Sequence, residues 1–225
     1  SRSPHRVALS STACRRACTW CGPSRSRNAF GPTNADWYRT SGGDGFYAVP
    51  DPTDHNYVYA ESQGGGVVRY DTRTGLPRGI RPVAKPGEKP LRFNWNAPIL
   101  PSRHEPKVVY MASNFVHRST DRGDSWVKVS GDLTRNIDRN TLPMRGAVPD
   151  SGALGRNEGT ADFSNITTID ESPLKAGILA AGTDDGIIQV TRDGGKTWTH
   201  MGLEKAGLIG RVRGPASAGR PYEQG

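Results

Sequence analysis

The sequence predicts an all-β protein assembled from repeated units, and three observations carry this prediction. The segment STDRGDSW at Ser119–Trp126 recurs as TRDGGKTW at Thr191–Trp198. The 28 glycines and 17 prolines make about a fifth of the 225 residues, against roughly an eighth in average usage. No long stretch has the apolar periodicity of an amphipathic helix. A repeated turn in a turn-rich chain indicates a repeated sheet.

The repeated segment predicts a self-capped corner between two strands. Asp121 and Asp193 can accept hydrogen bonds from the backbone N–H groups that follow them, as in Asx turns. Gly123 and Gly195 stand two residues later, where a positive φ costs least. The tryptophan that closes each copy can anchor the returning strand. The residues expected to build the two corners are Ser119, Asp121, Gly123, Trp126, Thr191, Asp193, Gly195 and Trp198.

The segment before each corner predicts a pair of strands joined by a turn. These segments are KVVYMASNFVHR at 107–118 and GILAAGTDDGIIQV at 177–190. A third, weaker copy covers 57–75, where Asp71 and Gly75 echo the corner but no tryptophan follows. Three similar units are therefore expected.

The repeated corner resembles the Asp box, or bacterial neuraminidase repeat, which joins the two outer strands of a β-propeller blade. The resemblance implies a partial β-propeller of about three four-stranded blades, at about 42–80, 92–130 and 160–202, with an insertion at 131–163. A closed propeller has four to eight blades. We therefore expect a fragment whose open blade edges are covered by the rest of a propeller or by another chain.

The two ends differ from this pattern. Residues 1–27 hold six arginines, no acidic residue and all three cysteines, so they supply most of the net charge of +8. This region is expected to be a disordered or disrupted leader, and 203–225 an irregular tail. Cys14, Cys18 and Cys21 lack a clear fourth ligand, so no metal site is expected. No nucleic-acid motif, membrane span, signal peptide or cofactor motif is predicted.

A wider resemblance covers about Trp20 to Met201. Segments such as RFNWNAPIL from Arg92 and GTADFSNITTIDESP from Gly159 are similar to secreted bacterial Asp-box propellers, which are sortilin-like or glycosyl-hydrolase-like repeat proteins. This resemblance implies a secreted or periplasmic protein.

Catalysis is the first of two functional hypotheses. The oligoxyloglucan hydrolases are Asp-box propellers, and the position that matches one of their catalytic aspartates is Gln63, which cannot act as an acid or base. The weak catalytic candidates that remain are Asp184, Asp185, Glu158 and Asp162. Asp44 is a further source of a second carboxylate. Asp184 and Asp185 can also simply form the turn before Gly186.

Ligand binding is the second hypothesis. Aromatic, amide and charged side chains cluster in NADWYR, GGDGF and RFNWN, a mixture that suits recognition of a sugar or a peptide. The residues concerned are Trp37, Tyr38, Asp44, Arg92, Asn94, Trp95 and Asn96. The alternative is that the tryptophans anchor blade cores. We expect a binding or scaffold module for peptide or glycan ligands, with a glycoside hydrolase as the rival.

Overall fold

Three four-stranded antiparallel sheets make up the chain in a computed structural model, which describes residues 37–144, 146–154, 156 and 162–202. Blade 1 contains β1 (Ala48–Pro50), β2 (Tyr57–Ser62), β3 (Gly66–Asp71) and β4 (Leu76–Gly79). Blade 2 contains β5 (Ile99–Pro101), β6 (Val109–Ala112), β7 (Val116–Ser119) and β8 (Val127–Lys128). Blade 3 contains β9 (Ile166–Glu171), β10 (Leu179–Thr183), β11 (Ile188–Thr191) and β12 (Thr199–His200). Within those ranges the only helical turns are of the 3-10 type, at Gln63–Gly65 and Arg139–Thr141.

The three sheets are arranged about a shared axis. In each sheet the strands pair in chain order, so the first strand is innermost and the fourth is outermost. Residues of β1, β5 and β9 line one cavity of about 590 Å³. A cavity walled by the first strand of every sheet is the channel side of a propeller. The predicted fold class, a partial propeller of three blades, is confirmed.

The hydrophobic core lies between the blades. One cluster joins blades 1 and 2 and includes Tyr59, Val67, Phe93 and Met111. The other joins blades 2 and 3 and includes Tyr110, Val116, Leu179 and Ala181. Neighbouring residues of β6 point to opposite clusters, so all of Val109–Ala112 is buried. In blade 3, by contrast, Thr168, Asp170 and Ala180 are exposed on the face turned away from blade 2.

The two predicted corners are built alike, atom for atom. Asp121 Oδ1 accepts from Ser125 N at 2.8 Å, and Asp193 Oδ1 accepts from Thr197 N at 2.9 Å. The hydroxyl of Ser119 or Thr191 donates to the same carboxylate and accepts from the N–H of the corner glycine. That glycine has φ +92° at Gly123 and +97° at Gly195. Each corner links the third strand of its blade to the fourth.

Hydrogen bonds hold the corner aspartates ionised. Burial opposes ionisation of Asp121, but hydrogen bonds from Ser125 and Ser119 outweigh it and lower its pKa to about 2. Hydrogen bonds from Thr197 and Thr191 lower the pKa of Asp193 to about 2 as well. The carboxylate is the form that the corner requires.

The third, weaker copy forms a tighter turn. Gly75 N donates to Asp71 O at 2.8 Å, and the Asp71 carboxylate accepts from Arg73. Ion pairs also join blade 1 to blade 2: Arg122 of the first corner donates to the buried Asp51 carboxylate at 2.9 Å, and Arg69 pairs with Asp124.

Several sequence predictions fall outside the described residues. These are the basic leader at 1–27 with its three cysteines, the tail at 203–225 and the candidate Glu158. In the part of the chain that is described, no helix has the length and apolar character needed to cross a bilayer.

Candidate functional site

The turns between second and third strands gather at one end of the sheets, here named the upper face. It contains the turns at 63–65, 113–115 and 184–187 and the loop at 92–98 that leads into β5. Backbone hydrogen bonds join these parts: Gly64 N donates to Trp95 O, Ile166 N to Ser113 O, and Asp184 N to Asn165 O. Residues distant in sequence therefore meet on a single surface.

The loop at 92–98 is fixed from below by blade 1. Glu61 Oε1 accepts from Ala97 N at 3.2 Å, and the Phe93 ring packs against Gly65. A Cβ at Gly65 would lie 2.6 Å from that ring, so only glycine permits this approach. The loop is thereby pre-organised, which reduces the entropy that ligand binding would cost.

Arg92 fastens the same loop to the segment that follows blade 2. Its guanidinium donates to Asp132 Oδ2 at 2.9 Å and to the Ser164 carbonyl at 3.3 Å. Asn114 supplies a second donor to Asp132 Oδ2, at 2.8 Å. The arginine, a predicted ligand-binding residue, is thus engaged in holding the site together.

Asn94 connects the loop to blade 3. Its side-chain amide donates to Asp184, whose Oδ1 also accepts from Asn165 N at 2.8 Å. Burial raises the pKa of Asp184, and the adjacent Asp185 carboxylate raises it further. Two buried side-chain carbonyl oxygens of this end of the sheets have no hydrogen-bond partner among the described residues: Asn96 Oδ1 in the loop, and Asn165 Oδ1 in the residue whose N–H binds Asp184. Unpaired buried acceptors are expensive, which favours a donor from a bound molecule or from water.

Trp95 presents an open aromatic surface beside these polar groups. Its side chain is 40% exposed, although its backbone carbonyl is fixed by Gly64. On the same end of blade 1, Gly43 lies against the Gln63 side chain, which places the exposed Asp44 next to that turn. Asn94 therefore contacts Asp184, Trp95 lies at the turn of Gly64, and Asp44 follows Gly43 beside Gln63, all at one end of the sheets.

Other candidates have different surroundings. Asp185 is buried, with its oxygens accepting from Thr183 Oγ1 at 2.5 Å and from Arg135 N at 2.7 Å. The exposed Asp162 accepts through its backbone carbonyl from Asn165 Nδ2. Tyr38 stacks on Tyr70 of β3, with ring centroids 5.3 Å apart, and therefore lies against the sheet rather than beside the loop. Trp37, next to it, is 47% exposed.

Glu61 is a site residue that the sequence analysis missed. It is fully buried in β2, accepts from Ala97 N and Gly65 N, and leaves Oε2 without a partner. Burial raises the pKa of Glu61 to about 8, so the carboxyl is protonated at neutral pH. The signal was a lone acidic residue within YVYAES, a strand whose residues 58–61 are buried on both faces.

The chemistry of the upper face suits recognition. An exposed indole can stack on an apolar face of a ligand, while amide oxygens and the carboxyl groups of Asp44 and Asp184 can accept hydrogen bonds from hydroxyl or N–H groups. Among the described residues, no group of three or more histidine, cysteine, aspartate or glutamate side chains could hold a metal ion.

No protein-family model and no curated protein matches the chain. Among solved structures, it is similar to an ancestral GH74 enzyme, with 18% identity over 72% of this chain and 18% of that one, at a TM-score of 0.44. The GH74 xyloglucanase from Xanthomonas campestris is 14% identical over 72% of this chain and 23% of its own, also at 0.44. YCF48 bound to D1 peptide is 17% identical over 68% and 43%, at 0.37.

The chain thus spans less than half of each of these proteins. The fold is established by the three sheets and the cavity that they share rather than by such distant likenesses.

Proposed function

We propose that this chain is part of an Asp-box β-propeller that binds a glycan or peptide ligand on its upper face. The observation that carries the proposal is the loop at 92–98. It carries the exposed Trp95 indole next to Asn94, which donates to Asp184 of blade 3. Hydrogen bonds to Glu61 and Gly64 of blade 1 and the ion pair of its Arg92 with Asp132 hold the loop before any ligand arrives. A rigid aromatic surface with a few fixed polar groups is typical of a binding site.

The sequence resemblance extends the proposal. Similarity to sortilin-like and other bacterial neuraminidase repeat proteins supports assignment to that group and a secreted or periplasmic location. In this setting the chain acts as a scaffold that presents the upper face.

Titration of the chain with a panel of oligosaccharides and peptides tests the proposal. Replacing Trp95 by alanine removes the stacking surface but keeps the backbone carbonyl that anchors the loop. We expect a ligand identified in the panel to bind this variant about tenfold more weakly, the equivalent of about 1.4 kcal/mol.

Trp37→Ala is the matched control, because it removes an indole of similar exposure (47% against 40%). Binding that is unchanged in Trp95→Ala, or weakened equally in both variants, would exclude the upper face as the binding site.

Glycoside hydrolysis is the second candidate, and one observation favours it. The raised pKa of Asp184 suits a general acid, which must carry a proton at the working pH. Its partner would be Asp44, Asp162 or Glu158. This rival predicts release of reducing ends from a polysaccharide that is lost in Asp184→Asn and kept in Asp170→Asn, an exposed carboxylate on another strand. Absence of turnover on every polysaccharide would reject it for this chain.

A further inference from the structure

Both interfaces between blades use the same pair of contacts. Trp126 Nε1 donates to the Ile80 carbonyl at 2.7 Å, and Trp198 Nε1 donates to the Val129 carbonyl at 2.9 Å. Each acceptor is the first residue after the outermost strand of the preceding blade. The corner of one blade is therefore hydrogen-bonded to the outer edge of the preceding blade.

The corner glycine makes the second contact with the same residue. A Cβ added at Gly123 would lie 2.7 Å from the Ile80 side chain, and one added at Gly195 would lie 2.6 Å from Val129 O. Real side chains essentially never approach so closely, so the fit depends on glycine in both copies.

In blade 3, Met201 occupies the position that accepts the tryptophan hydrogen bond in the other two blades. Ile80 N donates to Val67 O at 3.1 Å, Val129 N to Val116 O at 2.9 Å, and Met201 N to Ile188 O at 2.9 Å. Met201 is thus the first residue after β12, with the backbone arrangement of Ile80 and Val129. A groove of about 140 Å³ lies beside it, lined by Val190, Arg192, Thr197, Thr199 and Met201. We name this groove the Met201 socket.

Residues around the Met201 socket are more exposed than the equivalent residues of blades 1 and 2, which are covered by the next blade. Met201 is 41% exposed, whereas Ile80 is 3% exposed and Val129 is partly buried. Ala180 pairs with Val190 in blade 3 as Tyr110 pairs with Arg118 in blade 2, so Ala180 and Tyr110 occupy equivalent positions. Tyr110 is buried and Ala180 is exposed.

We propose that the Met201 socket binds the Asp-box corner of a further β-blade, supplied by polypeptide outside these 225 residues. The indole N–H of that corner donates to the Met201 carbonyl, and its glycine packs on the Met201 side chain. The sequence has five tryptophans, of which Trp126 and Trp198 alone close a corner motif.

A second copy of the chain does not fit as the occupant. Both of its corner indoles are already bonded within the copy. Its blade 1, the blade that would have to follow blade 3, has the tight turn at 71–75 with no tryptophan after it. The partner is therefore a different blade that carries the corner motif.

A backbone-cyclised peptide with the sequence of residues 188–200 tests this proposal, since it contains β11, the corner and β12 in one hairpin. The fluorescently labelled peptide is titrated with the full 225-residue chain, and its anisotropy is measured. We expect saturable binding. Substitutions in the peptide cannot unfold the chain: Gly195→Ala in the peptide should weaken binding at least about tenfold, and Trp198→Phe about fivefold.

Two surface variants of the chain locate the contact. Ala180→Glu places a charge on the open face and should abolish binding. Leu174→Glu changes a residue that is 92% exposed at the turn between β9 and β10 and should leave binding unchanged. Absence of saturable binding, equal binding of the Gly195→Ala peptide, or indifference to Ala180→Glu would overturn the proposal. Self-association of the chain that Ala180→Glu abolishes would assign the face to a second copy instead.

Discussion

Replacing Glu61 by glutamine should stabilise the chain in a manner that depends on pH. The glutamine amide oxygen can accept the same hydrogen bonds from Ala97 N and Gly65 N that Glu61 accepts. The substitution differs from the native residue chiefly in having no proton to lose. Its effect therefore isolates the free energy of keeping a buried carboxyl protonated.

The magnitude follows from the pKa of Glu61, which is about 8 in the fold against 4.5 for an unperturbed carboxyl. A group whose pKa is raised by folding contributes most stability below its unfolded pKa. That contribution is lost as the pH rises from 4.5 towards about 8. At about 1.36 kcal/mol per pH unit, the loss between pH 4.5 and pH 7 is about 3 kcal/mol. Glu61→Gln should recover about this amount at pH 7 and almost none at pH 4.5.

Urea denaturation at a series of pH values measures this difference. The control is Glu88→Gln, because Glu88 is exposed and its ion pair with Lys128 lowers the pKa of the carboxyl. That variant should gain no stability as the pH rises. A constant difference between Glu61→Gln and the native chain over pH 4.5–7 would mean that Glu61 is not protonated in the fold, and the reasoning would fail.

The two corners give further predictions. Gly195→Ala should cost about 3 kcal/mol of unfolding free energy, because φ is +97° and the new Cβ meets Val129 O, whereas Gly194→Ala, with φ +74° and open space, should cost about 1 kcal/mol. Equal losses on urea denaturation would refute the packing argument. Asp121→Asn should lower the melting temperature most above pH 3.8, and the gap should close as the pH falls to about 2, since the depressed pKa of Asp121 stabilises the fold only while its carboxylate is ionised. A gap that persists at pH 2 would contradict this account.

The corners were predictable because their structure is local. Four residue types at fixed offsets specify the hydrogen bonds of Asp121 and Asp193, and both glycines take the positive φ that the spacing requires. Strand pairs were predictable for the same reason, since a glycine- or asparagine-containing turn separates two apolar runs.

The upper face was only partly predictable, because it depends on which segments of different blades meet. Sequence grouped Asn94, Trp95 and Asn96, but the approach of Asp184 to Asn94 is set by packing of blade 3 on blade 2. Tyr38 was grouped with them because its segment NADWYR mixes aromatic and polar residues, whereas in the structure it stacks on Tyr70 of the sheet. Glu61 was overlooked because patterns of polarity do not show that a carboxyl is neutral.

In the described part of the chain, each hydrophobic cluster belongs to two neighbouring sheets, so none of the three sheets encloses a core of its own. Stability is then shared between neighbours, as in a linear array, and the middle sheet has twice the support of the terminal ones. Local opening should begin at β12, the outer strand of a terminal sheet whose two residues are both exposed, and it should reach β6 last, because all four residues of β6 are buried. Amide protection would accordingly follow a gradient across the sheets, with its maximum at Tyr110 and Met111.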